Sequence, residues 1–219
     1  TEGQRASNIG FGVGLRPAQP RASFQVAELY EHPNRDAAIL ILSESVTSRV
    51  PELIPIPANR TTLDRSWEGR TVEASGYGET RDASRDGRWF AALLLEQITQ
   101  EFVVVNGQGQ RGICFGDSGG PVLSLDSQNR PIILGVESSG DDSCVGRDYL
   151  TRLDAITNWM DPITGLVDDT PDQRPPDNEP DPPDNEPDPP DNDPTPPGDV
   201  CDTLDFLGRC DGDTAEWCQ

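Results

Sequence analysis

Apolar positions in the first 166 residues come in short, well-separated runs. Residues 24–30, 37–42, 71–74, 102–105, 121–125 and 132–136 are β-branched or apolar stretches bounded by Gly, Pro and Asn clusters. Many short strands punctuated by turn formers predict an all-β sandwich or barrel. Two stretches break the rhythm. Residues 154–160, DAITNWM, have helical spacing behind Asp154, an acid suited to an N-cap, and predict a short C-terminal helix. Residues 88–98, RWFAALLLEQI, form a continuous apolar run that fits a buried strand or a helix, because periodicity alone does not separate the two.

Beyond residue 166 the pattern stops. Residues 175–195 read PPDNEPD, PPDNEPD, PPDNDPT. Proline removes backbone donors and the like charges repel, so this segment cannot build a core. It is expected to be a disordered, extended spacer of polyproline-like geometry. Its evenly spaced aspartates lack a turn that would converge several oxygens on calcium, and no metal or cofactor is expected. Residues 201–219 hold Cys201, Cys210 and Cys218 with Leu204, Phe206 and Trp217, too little apolar bulk to stand without disulfides. The organisation expected is a β domain over 1–166, an acidic Pro-rich linker over 167–199 and the beginning of a small cysteine-rich module over 200–219.

Charge sharpens this division. From 168 to 199 twelve acids face one base, Arg174, and from 201 to 219 five acids face Arg209; so −15 of the net −22 lies beyond residue 167, and the β region carries only −7. Acidity of this kind argues against a nucleic-acid partner. No apolar run is long enough to span a bilayer as a helix. The remaining cysteines, Cys114 and Cys144, lie in the β region. Cysteines so distributed fit an oxidising compartment, and the odd number in the terminal group implies a partner beyond Gln219.

The densest chemistry is GICFGDSGGPVLSL, residues 112–125, where Ser118 stands between an acid and a glycine pair. The stretch satisfies the G-x-S-x-G pattern of a hydrolase elbow. That elbow runs from a strand into a helix and is followed in the chain by its histidine. Here Gly119, Gly120 and Pro121 lead into a strand-like VLSL, and no histidine follows residue 118.

CFGDSGGPV instead resembles the nucleophile loop of the trypsin-like (chymotrypsin-fold, S1) serine endopeptidases. The resemblance covers about residues 5–162 and implies a chymotrypsin-like double β-barrel, its first barrel incomplete here. It implies Ser118 as nucleophile and an oxyanion hole made of the Gly116 and Ser118 amides, with glycine letting the backbone approach the substrate. Asp117 is then structural, pairing in the family with a freed amino terminus. GVESSGDDSCVG, residues 135–146, resembles the family's substrate-binding strand. Ser138, Ser139 and Gly140 match the residues that pair with substrate as an added strand, although Ser139 stands where the family usually has Trp. Cys144 matches the partner of Cys114, implying a bridge worth about 3–4 kcal/mol for a loop of about 30 residues. EHPNRDAAILIL, residues 31–42, resembles the segment of the triad acid, with Asp36 at the head of an apolar strand. A carboxylate there needs strong hydrogen bonds, and a histidine N–H is the partner that the mechanism requires. SGYG, residues 75–78, sits where the family often has a Gly-Trp-Gly turn.

The chain's single histidine, His32, lies four residues before Asp36 in the HP pair that commonly precedes the acid in this family. There it is a surface residue, while the base belongs to a TAAHC-like segment further upstream. The expectation is an N-terminally truncated piece of a secreted serine endopeptidase acting on protein or peptide substrates, its base before Thr1, inactive alone. Extracellular, periplasmic and cell-surface settings all suit it, and the tail module is a candidate anchor on an extracellular or cell-surface ligand. The alternative is a non-catalytic binding or adhesion protein on the same scaffold. Gly112 occupies the position where trypsins carry an acid at the pocket base, which predicts a preference for small or apolar side chains. Asp148, entering from the opposite wall, gives the basic alternative, unless Arg147 beside it neutralises the charge.

Overall fold

The computed structural model describes residues 5–80 and 87–166, with the backbone alone of 209–211 and 214–216. These belong to two separate compact units, Thr1–Asp168 and Asp169–Gln219. The first unit opens with an antiparallel sheet of three strands, β1 (Gly10–Val13), β2 (Ala22–Glu31) and β3 (Ala38–Leu42), in that order. Six further strands follow: β4 (Thr71–Gly76), β5 (Trp89–Ile98), β6 (Phe102–Asn106), β7 (Pro121–Leu125), β8 (Pro131–Gly140) and β9 (Arg147–Arg152). They close into a barrel in the order β4-β5-β6-β9-β8-β7. A short helix, α1 (Thr157–Thr164), ends the unit. The fold is thus mostly β, one closed barrel beside an open sheet, as a chymotrypsin-like double barrel requires.

All six apolar runs read from the sequence lie in strands, with small shifts at their ends. The ambiguous run 88–98 is strand β5, because it has a partner on each side, β4 and β6. Leu93 and Leu95 point into the barrel while Leu94 between them is only half-buried, the alternation of a strand. The same spacing repeats around the wall: Val72 and Ala74, Val103 and Val105, and Ile132 and Leu134 complete the interior with Val122 and Leu150. β4, β5, β6 and β8 thus each contribute alternate residues to one core, joined by one residue each from β7 and β9.

β9, RDYLTR, carries three charges and lies outside the six apolar runs. It is a strand because β6 and β8 flank it and supply partners along its whole length. Its last residue, Arg152, is buried, and its guanidinium donates to the Thr99 and Leu63 carbonyls at 2.5 and 2.8 Å and pairs with Asp154. A charge removed from water persists only with such partners. The expectation that Asp154 caps the helix is corrected accordingly. α1 begins at Thr157 behind Ile156, which makes no side-chain cap, while Asp154 accepts the Leu63 amide at 2.8 Å.

A second apolar cluster sits outside the barrel. Ile133 and Val136 on β8 meet Ala37 and Ile39 from the three-stranded sheet, and Leu153, Ile156, Met160 and Trp159 from the helical end. This packing holds the head of β3 against the barrel wall. The expected spacer, 167–199, lies outside the described residues, as does most of 200–219. What is described there is an antiparallel hairpin of β10 (Arg209–Asp211) and β11 (Thr214–Glu216). Among the described residues no helix is long and apolar enough to cross a membrane.

Candidate active site

The loop from Gly112 to Gly120 is built from short local bonds. The Asp117 amide donates to the Cys114 carbonyl at 3.0 Å and the Gly120 amide to the Asp117 carbonyl at 2.7 Å. Two bonds stitch the loop to β8: Gly119 N–H to the Glu137 carbonyl and Glu137 N–H to the Gly120 carbonyl, both 2.9 Å. Gly116 adopts φ 100°, open to glycine and strained for other residues. Ser118 is left exposed on the crest. Among the described residues no backbone partner is found for the Gly116 and Ser118 amides.

Asp117 anchors the loop from behind. Its Oδ1 accepts the Gly78 amide at 2.7 Å and its Oδ2 the Cys114 amide at 3.0 Å. Among the described residues its partners are these two backbone amides. The SGYG stretch explains itself at this point. A Cβ placed on Gly76 would stand 2.7 Å from the Asp117 Cγ and closer still to its Oδ1, and one on Gly78 would stand 2.5 Å from Cγ. Two glycines thus make a cradle that only this acid fills. Tyr77 between them donates from its hydroxyl to the Gly14 carbonyl at 2.6 Å, fastening the turn to the strand-β1 end.

Asp36 reaches the barrel from the other side. Its Oδ2 accepts the Ser138 hydroxyl at 2.8 Å, and its backbone carbonyl accepts the Thr151 hydroxyl at 2.8 Å. These bonds join residues 102 and 115 positions apart in the chain. Ser138 directly follows Glu137, whose backbone holds the nucleophile loop, so Asp36 and Ser118 are both tied to the same end of β8. His32 lies elsewhere. Its ring packs edge-on against Trp159 with centroids 4.9 Å apart, its Nδ1 accepts the Asn34 amide at 3.1 Å, and burial followed by the nearby Arg35 lowers its pKa.

Past Val136 β7 no longer pairs with β8, while β9 still does, at Ser139 opposite Tyr149 and Gly140 opposite Asp148. The Ser138–Gly140 stretch therefore has one edge without a strand among the described residues. Below it opens a cavity of about 200 Å³ whose wall includes Ser118, Cys114, Glu137, Ser139, Gly140 and Asp148. The Cys114–Cys144 bridge is formed, with Cα atoms 4.8 Å apart, and contributes both sulfur residues to the wall.

The chemistry of this cavity is acidic. Asp148 is 1% exposed; its Oδ2 faces the Ile113 amide at 3.4 Å, and burial outweighs that weak bond to raise its pKa to about 6. Glu137 is 7% exposed, and burial, then Asp148, then Asp117, raise its pKa to about 8. The expectation that Arg147 neutralises Asp148 is corrected: β-strand alternation sends Arg147 to the outer face, where it forms a two-pronged pair with Glu96. Gly112, expected at the pocket base, lies in the wall of a neighbouring cavity of about 550 Å³, packed on Cys144, where a Cβ would stand 3.0 Å from the carbonyl carbon. Glu137 lines both cavities and was missed by sequence reasoning. Its signal was present: an acid inside the apolar run of β8, with a bulge between Glu137 and Ser139 that alters which side chains face inward. Among the described residues no cluster of His, Cys, Asp and Glu could hold a metal ion.

Comparison with known proteins agrees with this geometry. The trypsin family profile matches residues 14–160. Serine protease 1 and Serine protease 2 of Drosophila melanogaster are each 24% identical to the chain over 192 residues, covering 76% of it and 69% of the relative.

Proposed function

Because the chain belongs to the trypsin family and is a serine-type hydrolase, we propose that it carries the nucleophile, the orienting acid and the substrate pocket of a secreted serine endopeptidase. Ser118 Oγ attacks the scissile carbonyl and passes its proton to an imidazole. Asp36 holds that imidazole in position, the Gly116 and Ser118 amides receive the oxyanion, and the imidazole returns the proton to the leaving amine before water releases the acyl group. The observation that carries this reading is the Ser138–Asp36 hydrogen bond, which ties a carboxylate to the strand end that also holds the Ser118 loop. His32 is engaged by Trp159 and Asn34, so the base in this reading is a histidine outside the 219 residues. Ser138, Ser139 and Gly140 offer the substrate an unpaired strand edge.

For the side chain preceding the scissile bond, two acids lining the cavity below Ser118 support a basic residue over a small or apolar one. A cation offsets the cost of burying carboxylates there. The Cys114–Cys144 bridge supports an oxidising, extracellular setting.

The test compares two polypeptides. A longer protein that includes the preceding segment is expected to hydrolyse a peptide ester and to be labelled at Ser118 by an organophosphonate, and Ser118→Ala abolishes both. The 219-residue chain alone is expected to react slower by several orders of magnitude, as removal of a triad member dictates. Rapid labelling of the isolated chain would contradict the assignment of the base. Peptide binding without cleavage in the longer protein would favour a binding protein on this scaffold.

A further inference from the structure

Glu137 is a buried acid of β8 whose side chain the triad does not use. Its backbone is locked on both sides of the chain, to Gly119 and Gly120 of the nucleophile loop and opposite Leu150 on β9. It is more than nine-tenths buried, and among the described residues its Oε2 has no hydrogen-bond partner. A buried polar atom left unpaired is costly, and native structures keep few of them. Glu137 lines the wall of the cavity that also includes Ser118 and Asp148.

We propose that Glu137 is a second specificity residue of that cavity: a guanidinium, amidinium or ammonium group entering beside Asp148 also meets the Glu137 carboxyl, which releases its proton to solvent and holds the cation as a carboxylate. The proposal rests on the reading that the smaller cavity receives the side chain preceding the scissile bond, and it deepens that reading by adding a proton to the binding step. One O–H bond breaks, the proton goes to buffer, and no other group changes.

The surroundings allow little else. The charged groups around Glu137 are Asp148 on β9, Asp117 in the nucleophile loop, Asp141 and Asp142 beyond β8, and Glu79 and Arg111 on the larger cavity's wall. Asp117 already accepts two amides. Arg111 is exposed, with its guanidinium toward Gln110. Burial first, then the Asp148 and Asp117 carboxylates, keep the Glu137 proton in place until a cation arrives, in accord with a pKa of about 8. A cation of fixed charge then has to displace that proton at neutral pH, and its affinity rises with pH until the carboxyl titrates by itself.

Calorimetric titration of the 219-residue chain with benzamidine tests this without catalysis. Near pH 7, in two buffers of different ionisation heat, release of close to one proton per bound amidinium is expected. Affinity should rise roughly fiftyfold between about pH 6 and pH 8. Benzamide, the neutral isostere, should bind weakly with no proton release. Glu137→Gln keeps the volume and a neutral head, so proton release should fall near zero and the pH profile flatten. Near-ultraviolet circular dichroism checks that this variant retains its packing, and the wild-type proton count stands if it does not. Buffer-independent heats in the wild type, equal release from a folded Glu137→Gln, or no amidinium binding up to about pH 8 would each overturn the proposal. Ser118 labelling in the longer protein reports on the protease reading separately, so the two can fail independently.

Discussion

Gly76→Ala is the sharpest probe of how the barrel holds its nucleophile loop. The new Cβ would stand 2.7 Å from the Asp117 Cγ, with only Asp117 side-chain atoms as its nearest neighbours. Ordinary carbon contacts lie more than half an ångström further out, so either the carboxylate or the β4 turn must move. Moving the carboxylate breaks its bond from Gly78, and overpacking adds strain, so the cost is about 2–4 kcal/mol in total. The clash has a single partner, which makes a double-mutant cycle decisive. Asp117→Ala by itself leaves the Gly78 and Cys114 amides short of an acceptor and should destabilise by a similar amount. In that background, of the three nearest atoms only the residue-117 Cβ remains, at 3.2 Å, and Gly76→Ala should cost less than about 0.5 kcal/mol. Urea unfolding of the four proteins, followed by tryptophan fluorescence, measures the coupling. Additive effects would mean that the cradle is not what constrains Gly76. In the longer protein a shift of about 1 Å in this loop should also reduce kcat roughly a hundredfold.

Three other outcomes follow from the structure. Glu137 and Asp148 have raised pKa values, so the folded state holds extra protons from about the unfolded carboxylate range up to about 8 and 6 respectively; stability should therefore fall as pH rises through that window, and Glu137→Gln should flatten the upper part of the curve measured by urea midpoints. Glu96 behaves in the opposite sense, since Arg147 and then Asn106 hold its pKa at about 2: its contribution is present above the ordinary glutamate range and is lost as pH falls toward 2, and Arg147→Ala should bring its carboxyl resonance back toward an ordinary titration by NMR. Replacing Cys114 and Cys144 together by serine should cost about 3–4 kcal/mol for the 30-residue separation they close, with the loss absent when wild type and variant are compared under reducing conditions.

Much of the site was legible because it depends on short-range chemistry. The glycines and acid around Ser118 announce a tight loop, and the runs at 37–42 and 121–125 announce the strands that present Asp36 and Ser118. Cys114 and Cys144 could be paired only through the resemblance. β9 was hidden because its charges satisfy themselves through neighbours that the local sequence does not mention: Arg152 through Thr99, Leu63 and Asp154, Arg147 through Glu96. The helix start was misplaced for the same reason, since Asp154 spends its oxygens on Leu63 and Arg152 rather than on its own helix.

By itself, the order of residues determined the strand content, the turn-bound serine and the separation of a β region from an acidic tail, because periodicity, steric freedom and like-charge repulsion act over a few neighbours. Only the closed barrel decided which carboxyls face the cavity, that Arg147 turns outward while Asp148 turns in, and that Asp117 rests on Gly78 and Cys114. Those choices depend on strand register, and register is set by partners that lie tens of residues away along the chain.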